Sequence, residues 1–178
     1  MIAKETYTVI SSAAMERAES VQFITLQPDL SGRAGTFTAF ALPCWTEKGI
    51  LLHMHANAPG TPRTGDRLEC RIIQDVNGEE IVFSVSPSGD LSVSDGSAEQ
   101  FRLYMEEVQG GEWGAYWVMP ADLLRRAVPD LEMEKEAVIG IRFSAVSLAA
   151  DGSETVLTWP GSEGTETDSA FGLLILGD

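Results

Sequence analysis

The chain has 178 residues, 44% of them hydrophobic and 22% charged, which suits one globular domain (1–178) with a sizeable core and not a disordered chain. Its 27 Asp and Glu stand against 12 Lys and Arg, a formal net charge of −15. That field repels phosphate backbones and anionic membrane surfaces, and no Lys/Arg cluster offsets it, so neither nucleic acid nor membrane is an expected partner.

Neutral ligands such as uncharged sugars carry no such penalty. No apolar run approaches the roughly 18 residues of a membrane span. The stretch from Met1 to Glu19 has an early Lys4 but no long apolar segment. It does not read as a signal peptide, and the expected location is the cytoplasm, or outside it if the sequence has been trimmed of a leader.

The dominant period along the chain is two. Thr36 to Leu42 alternates small with bulky residues. In Ile50 to Ala56, Ile50, Leu52, Met54 and Ala56 share one face and Leu51, His53 and His55 the other. Leu68, Cys70 and Ile72 alternate with Arg67, Glu69 and Arg71. The Asn77-Gly78 pair supplies the positive φ values of a tight hairpin before Ile81 to Ser86. Pro87 to Asp90 reads as a second turn into Leu91 to Val93.

Further along, Phe101, Leu103 and Met105 alternate with Arg102, Tyr104 and Glu106. Trp113, Ala115, Trp117 and Met119 share a face of the next strand. Pro120 to Arg126 reads as one short helix near 120–128, with Pro in its first turn. Ala137 to Ser147 and Ser153 to Trp159 are strands, the polar stretch from 160 to 169 is a loop, and Phe171 to Leu176 is a closing strand. Eleven or twelve short strands with turns between them predict an all-β antiparallel β-sandwich.

Cys44 and Cys70 lack the CxxC spacing of a zinc or redox motif, and Cys70 falls on the apolar side of its strand. His53 and His55, at i and i+2, project from one strand face as metal ligands do. They are the only two histidines, and the sequence nominates no third ligand. The competing reading is a pair of hydrogen-bonded or surface histidines. No G-x-S-x-G elbow occurs, and Gly32 to Gly35 lacks the lysine of a phosphate loop, so no catalytic residue is assigned.

The four tryptophans are Trp45, Trp113, Trp117 and Trp159. An indole combines a flat apolar face with one polar handle, which suits stacking on a sugar ring. Filling the core is the alternative, and it has the stronger claim on Trp113 and Trp117. Trp45 and Trp159 stand beside turns, better placed to reach a ligand. Arg67 and Glu69 form either the polar wall of a groove or a solvated face with cross-strand ion pairs.

Four segments resemble the carbohydrate-binding module family 9-like domains in their short stand-alone bacterial form. They are Gly49 to Ala56, Asp66 to Cys70, Trp113 to Pro120 with Leu123 and Leu124, and Thr158-Trp159-Pro160 followed by Ala170 to Leu174. The resemblance implies a jelly-roll-like sandwich, a non-catalytic saccharide-binding ancestry, and calcium in some members. Many relatives carry a His-Arg-Pro run before the closing Phe-Gly, where this chain has Glu166 to Ala170.

The resulting expectation is a non-catalytic saccharide-binding protein with no cofactor of its own. Its ligand would be held by Trp45, Trp159, Trp113 and Trp117 with Arg67 and Glu69. The alternatives are an interaction sandwich that has lost the sugar site and a metal-dependent hydrolase built on His53 and His55. Burial of all four indoles would favour the interaction reading, and an exposed pair beside a cleft the sugar reading.

Overall fold

In a computed structural model, residues 2–18, 20–28, 35–73, 80–161 and 170–178 are described. Among them the strands are β1 (Ile2–Val9), β2 (Ile24–Thr25), β3 (Gln27–Pro28), β4 (Thr38–Thr46), β5 (Gly49–Asn57), β6 (Arg67–Ile73) and β7 (Glu80–Val85). They continue with β8 (Leu91–Val93), β9 (Arg102–Met105), β10 (Glu112–Pro120), β11 (Val138–Leu148), β12 (Glu154–Trp159) and β13 (Ala170–Leu176). Two helices are present, α1 (Ser12–Met15) and α2 (Ala121–Ala127). The expected Asn77-Gly78 turn, Gly32 to Ala34, and the polar loop from 162 to 169 lie outside the described residues. No helix among them is long and apolar enough to cross a membrane.

The strands form two sheets. An eight-stranded sheet runs β1-β13-β11-β6-β7-β8, with β12 on β11 and β3 on β12; a five-stranded sheet runs β2-β4-β5-β10-β9. The period-two pattern decides which side of each strand faces the partner sheet. Ile50, Leu52, Met54 and Ala56 of β5 and Trp113, Ala115, Trp117 and Met119 of β10 are buried. So are Leu68, Cys70 and Ile72 of β6 and Ile139, Ile141, Phe143 and Ala145 of β11, giving one continuous core. Each large aliphatic side chain so buried contributes about 1.5–3 kcal/mol. Cys44 and Cys70 are free and buried within this packing, and burial pushes the Cys70 thiol well above its ordinary range.

Two local details differ from the sequence expectation. The sandwich is not wholly antiparallel, because β1 lies parallel to β13 with Tyr7 beside Leu174 and Val9 beside Leu176. Antiparallel pairing of β13 with β11 leaves the other side of β13 free, and β1 fills that side in the direction of β13. Pro120 is the residue before helix α2 and not part of its first turn. Its ψ of 146° is extended, and it still pairs with Gly49. The two halves of the closing motif meet in space. A Cβ on Gly172 would lie 2.3 Å from the Trp159 ring, so only glycine lets that indole lie flat on β13.

Candidate functional site

The outer face of the five-stranded sheet gathers side chains from three neighbouring strands. In β5, Leu51, His53 and His55 point outward because their alternates form the core. Register places Tyr116 of β10 beside His53, and Phe40 of β4 and Gly114 of β10 beside His55. Tyr104 of β9 stands next to Tyr116. Glu106 follows β9, its backbone N–H donating to the Gly114 carbonyl at 2.9 Å.

Glu106 is the hub. His53 Nε2 lies 2.9 Å from Oε1 and His55 Nδ1 2.8 Å from Oε2. The Tyr116 hydroxyl donates to Oε1 at 3.2 Å. An ionised carboxylate only accepts. Both imidazoles therefore present an N–H to it, His53 through Nε2–H and His55 through Nδ1–H.

Ring packing fixes both imidazole planes. His53 stacks on Tyr116 with centroids 4.1 Å apart and planes 8° from parallel. His55 stacks on Phe40 at 5.2 Å and 15°, and Phe23 leans on Phe40 at 4.6 Å. The carboxylate reaches the histidines across Gly114, where a Cβ would sit 2.1 Å from Oε2.

Burial lowers the proton affinity of His53 below its ordinary value, against the opposing pull of Glu106. Burial works to raise the Glu106 carboxyl, but the His55 hydrogen bond, the fields of both imidazoles and the Tyr116 hydroxyl outweigh it and hold it below the usual range. Near neutral pH the cluster is an ionised carboxylate facing a neutral His53. Among the described residues, His53, His55 and Glu106 are the one group of three potential metal-ligating side chains whose donor atoms converge, all within 4.8 Å of one another.

The tryptophans lie elsewhere. Trp113 and Trp117, on the inner face of β10, are 1% and 0% exposed and have no ring surface to offer a ligand. Their alternation with Ala115 and Met119 marked the buried side. Trp159 is 6% exposed between Gly172 and Phe143. Trp45 is half-buried against the core, and its indole N–H donates to the Gly177 carbonyl at 2.8 Å. No exposed pair of indoles flanks a cleft.

Arg67 and Glu69 sit on the opposite side of the molecule, outside the eight-stranded sheet. Glu69 accepts from Arg67 at 2.8 Å and Arg71 at 3.0 Å, and those arginines also reach Glu154 and Glu80. These charges pair with one another across the sheet, although Arg71 Nε is buried without a hydrogen-bond partner.

Glu106 and Tyr116 escaped the sequence reading as partners of the histidines. Glu106 was placed on the polar side of its strand with Arg102 and Tyr104, but the sheet order β5-β10-β9 is what carries it to β5. The one local signal was Gly114 in an otherwise bulky strand, a mark of close approach by another group.

No family model matches the chain, and no curated protein does. Solved structures do match. A carbohydrate binding module family 9 from Caldicellulosiruptor kristjanssonii in complex with cellotriose aligns over 97% of this chain and 94% of its own, at TM-score 0.71 and 10% identity. The same organism's family 9 module in complex with glucose aligns over 98% and 97%, at 0.70 and 10%. A proposed carbohydrate-binding protein from Bacteroides uniformis aligns over 97% and 99%, at 0.67 and 13%. The fold is that of a family 9-like carbohydrate-binding module.

Proposed function

We propose that this chain is a non-catalytic saccharide-binding module whose ligand lies on the outer face of the five-stranded sheet. The observation that carries the reading is the aromatic strip there. Tyr104, 56% exposed, Tyr116, and the Phe40–Phe23 pair spread over neighbouring strands, with the two imidazoles between them. Arg102, Asn57 and Glu112 rim the strip with hydrogen-bonding groups.

A sugar ring offers an apolar C–H face and a belt of hydroxyls, which a shallow aromatic surface with polar edges can match. The acidic chain selects for neutral saccharides over anionic ones. The fold shared with modules solved with cellotriose and glucose supports the same reading. Tyrosine and phenylalanine take over the stacking role first assigned to the indoles.

Backbone amide NMR during titration with neutral mono- and oligosaccharides, glucose and cello-oligosaccharides included, tests it. The expected result is shift changes concentrated on β9, β10 and β5, with Tyr104→Ala weakening binding about tenfold or more. Tryptophan emission should barely respond. Folded protein showing no shift with any sugar at millimolar concentration would refute the reading.

A second reading has its own observation. The buried indoles, together with Phe23 and Leu51 exposed on the same face, favour a sandwich that uses this face to bind a protein. A negative sugar panel would move the assignment there.

A further inference from the structure

We propose that His53 Nε2, His55 Nδ1 and a carboxylate oxygen of Glu106 form a three-ligand site for a zinc-class divalent cation on the outer face of the five-stranded sheet. This goes beyond saccharide binding and does not depend on it. Three features carry it.

The first is convergence. The donor atoms come from β5 and from the segment after β9, and all lie within 4.8 Å of one another. Ligands of a tetrahedral zinc stand about 3.3 Å apart, given bonds of ~2.0–2.1 Å. The two nitrogen–oxygen separations, 2.9 and 2.8 Å, already bracket a single carboxylate, and small rotations of the side chains admit an ion between them.

The second is preorganisation. Metal-ligating groups work best when other contacts hold them in place. The stack on Tyr116 holds His53, the stack on Phe40 holds His55, and the Tyr116 hydroxyl holds Glu106. Gly114 leaves the room the carboxylate needs. A solvated face gains little stability from hydrogen-bonded charges alone, yet three surrounding residues, Tyr116, Phe40 and Gly114, shape this one.

The third is donor chemistry. Two imidazoles and one carboxylate suit zinc and its first-row neighbours, whereas calcium and magnesium take oxygen donors. The fourth vertex faces solvent and takes water. Metal binding leaves the inward nitrogens, Nε2 of His53 and Nδ1 of His55, without a proton. In the bound ring the outward nitrogen, Nδ1 of His53 and Nε2 of His55, carries it, exchanged through solvent, and the carboxylate needs no proton loss.

The test uses untagged full-length chain stripped with EDTA and dialysed. Calorimetric titration with ZnCl2 should show one equivalent bound at micromolar or tighter affinity, with CaCl2 failing to compete. Glu106→Gln should weaken binding roughly a hundredfold, and Tyr116→Phe roughly tenfold or less. Long-range 1H–15N spectra of the wild-type imidazoles supply a readout that needs no variant. With zinc bound, Nε2 of His53 and Nδ1 of His55 should carry no proton, leaving Nδ1–H on His53 and Nε2–H on His55.

Unchanged tautomers, binding only above about 100 µM, or full affinity in folded Glu106→Gln would each overturn the site and leave a hydrogen-bonded His–Glu–His cluster. Sugar titrations run in EDTA test the saccharide reading separately, so failure of one is distinct from failure of the other.

Discussion

On the outer face of the eight-stranded sheet, Glu69 accepts from two arginines; on the outer face of the five-stranded sheet, Glu106 accepts from two imidazoles and a phenol. The same alternation of strand residues builds both faces. The first closes on itself, since Arg67 and Arg71 have further carboxylates in Glu154 and Glu80. The second stays open, because its donors are two imidazoles and a phenol, and Tyr104, Phe23 and Leu51 remain exposed beside it. On the first face Arg67, Arg71 and their carboxylates each have a charged partner, and Arg71 Nε is left without a hydrogen bond. On the second face the Glu106 carboxylate is held by imidazole and phenol donors among exposed aromatics.

If the first face is structural, breaking it should cost the most. Glu69 is 8% exposed, and Glu69→Ala strands two arginines. Losing one partner of a buried ion pair costs about 3–5 kcal/mol. Here the arginines are each about a third exposed and keep their outer partners, so about 2 kcal/mol is expected in urea denaturation.

The pH dependence follows from the same contacts. Burial acts to raise the Glu69 carboxyl, but hydrogen bonds and charges from the two arginines outweigh it and hold its pKa below the ordinary 4.5. A carboxyl depressed in the folded state adds stability that is fully present above its unfolded pKa. That stability is lost as pH falls through the folded value. Wild-type stability should therefore decline below pH 4.5, and Glu69→Gln should flatten that decline. An equally steep acid limb in the variant would contradict the assignment.

Gly114→Ala tests whether the second face is built around its carboxylate. Alanine in place of a strand glycine ordinarily stabilises by about 0.5–1 kcal/mol. Here the new Cβ would meet Glu106 Oε2 at 2.1 Å and the Met54 carbonyl oxygen at 2.8 Å. The expected sign is reversed, a loss of about 1–2 kcal/mol together with displacement of Glu106 from the histidines. A stabilised variant with the His–Glu contacts intact in its NMR spectra would show that the glycine has no such role.

Most of the fold was legible in the sequence, because a period of two names the buried side of each strand without naming its neighbour. Ile50, Leu52, Met54 and Ala56 fell inward as their spacing required, and His53 and His55 outward. What the period does not contain is strand order. Nothing local says that the segment after β9 lies over β5, two strands away, so Glu106 could not be assigned to the histidines. The same gap left the tryptophans ambiguous, since an indole at a strand end is free or covered according to what packs there, and Gly172 covers Trp159. The parallel pairing of β1 with β13 joins the two ends of the sequence and leaves no mark on either strand alone.

Glu106→Gln should cost less than either change above, about 1 kcal/mol or under. The amide keeps the size of the carboxylate, and its partly exposed partners can reach water. If denaturation shows a loss as large as that of Glu69→Ala, the second face is structural after all and the contrast between the faces fails.

The smallest expected effect on stability is the most informative about binding. Tyr104 is 56% exposed, on a strand at the sheet edge, where its neighbour across the ladder is Tyr116. Tyr104→Ala should therefore change unfolding free energy by no more than about 0.5 kcal/mol. Unchanged stability with saccharide binding weakened about tenfold would place the ligand on this face. Unchanged stability with unchanged binding would take the ligand away from it, and a stability loss above 1 kcal/mol would show that the ring belongs to the fold.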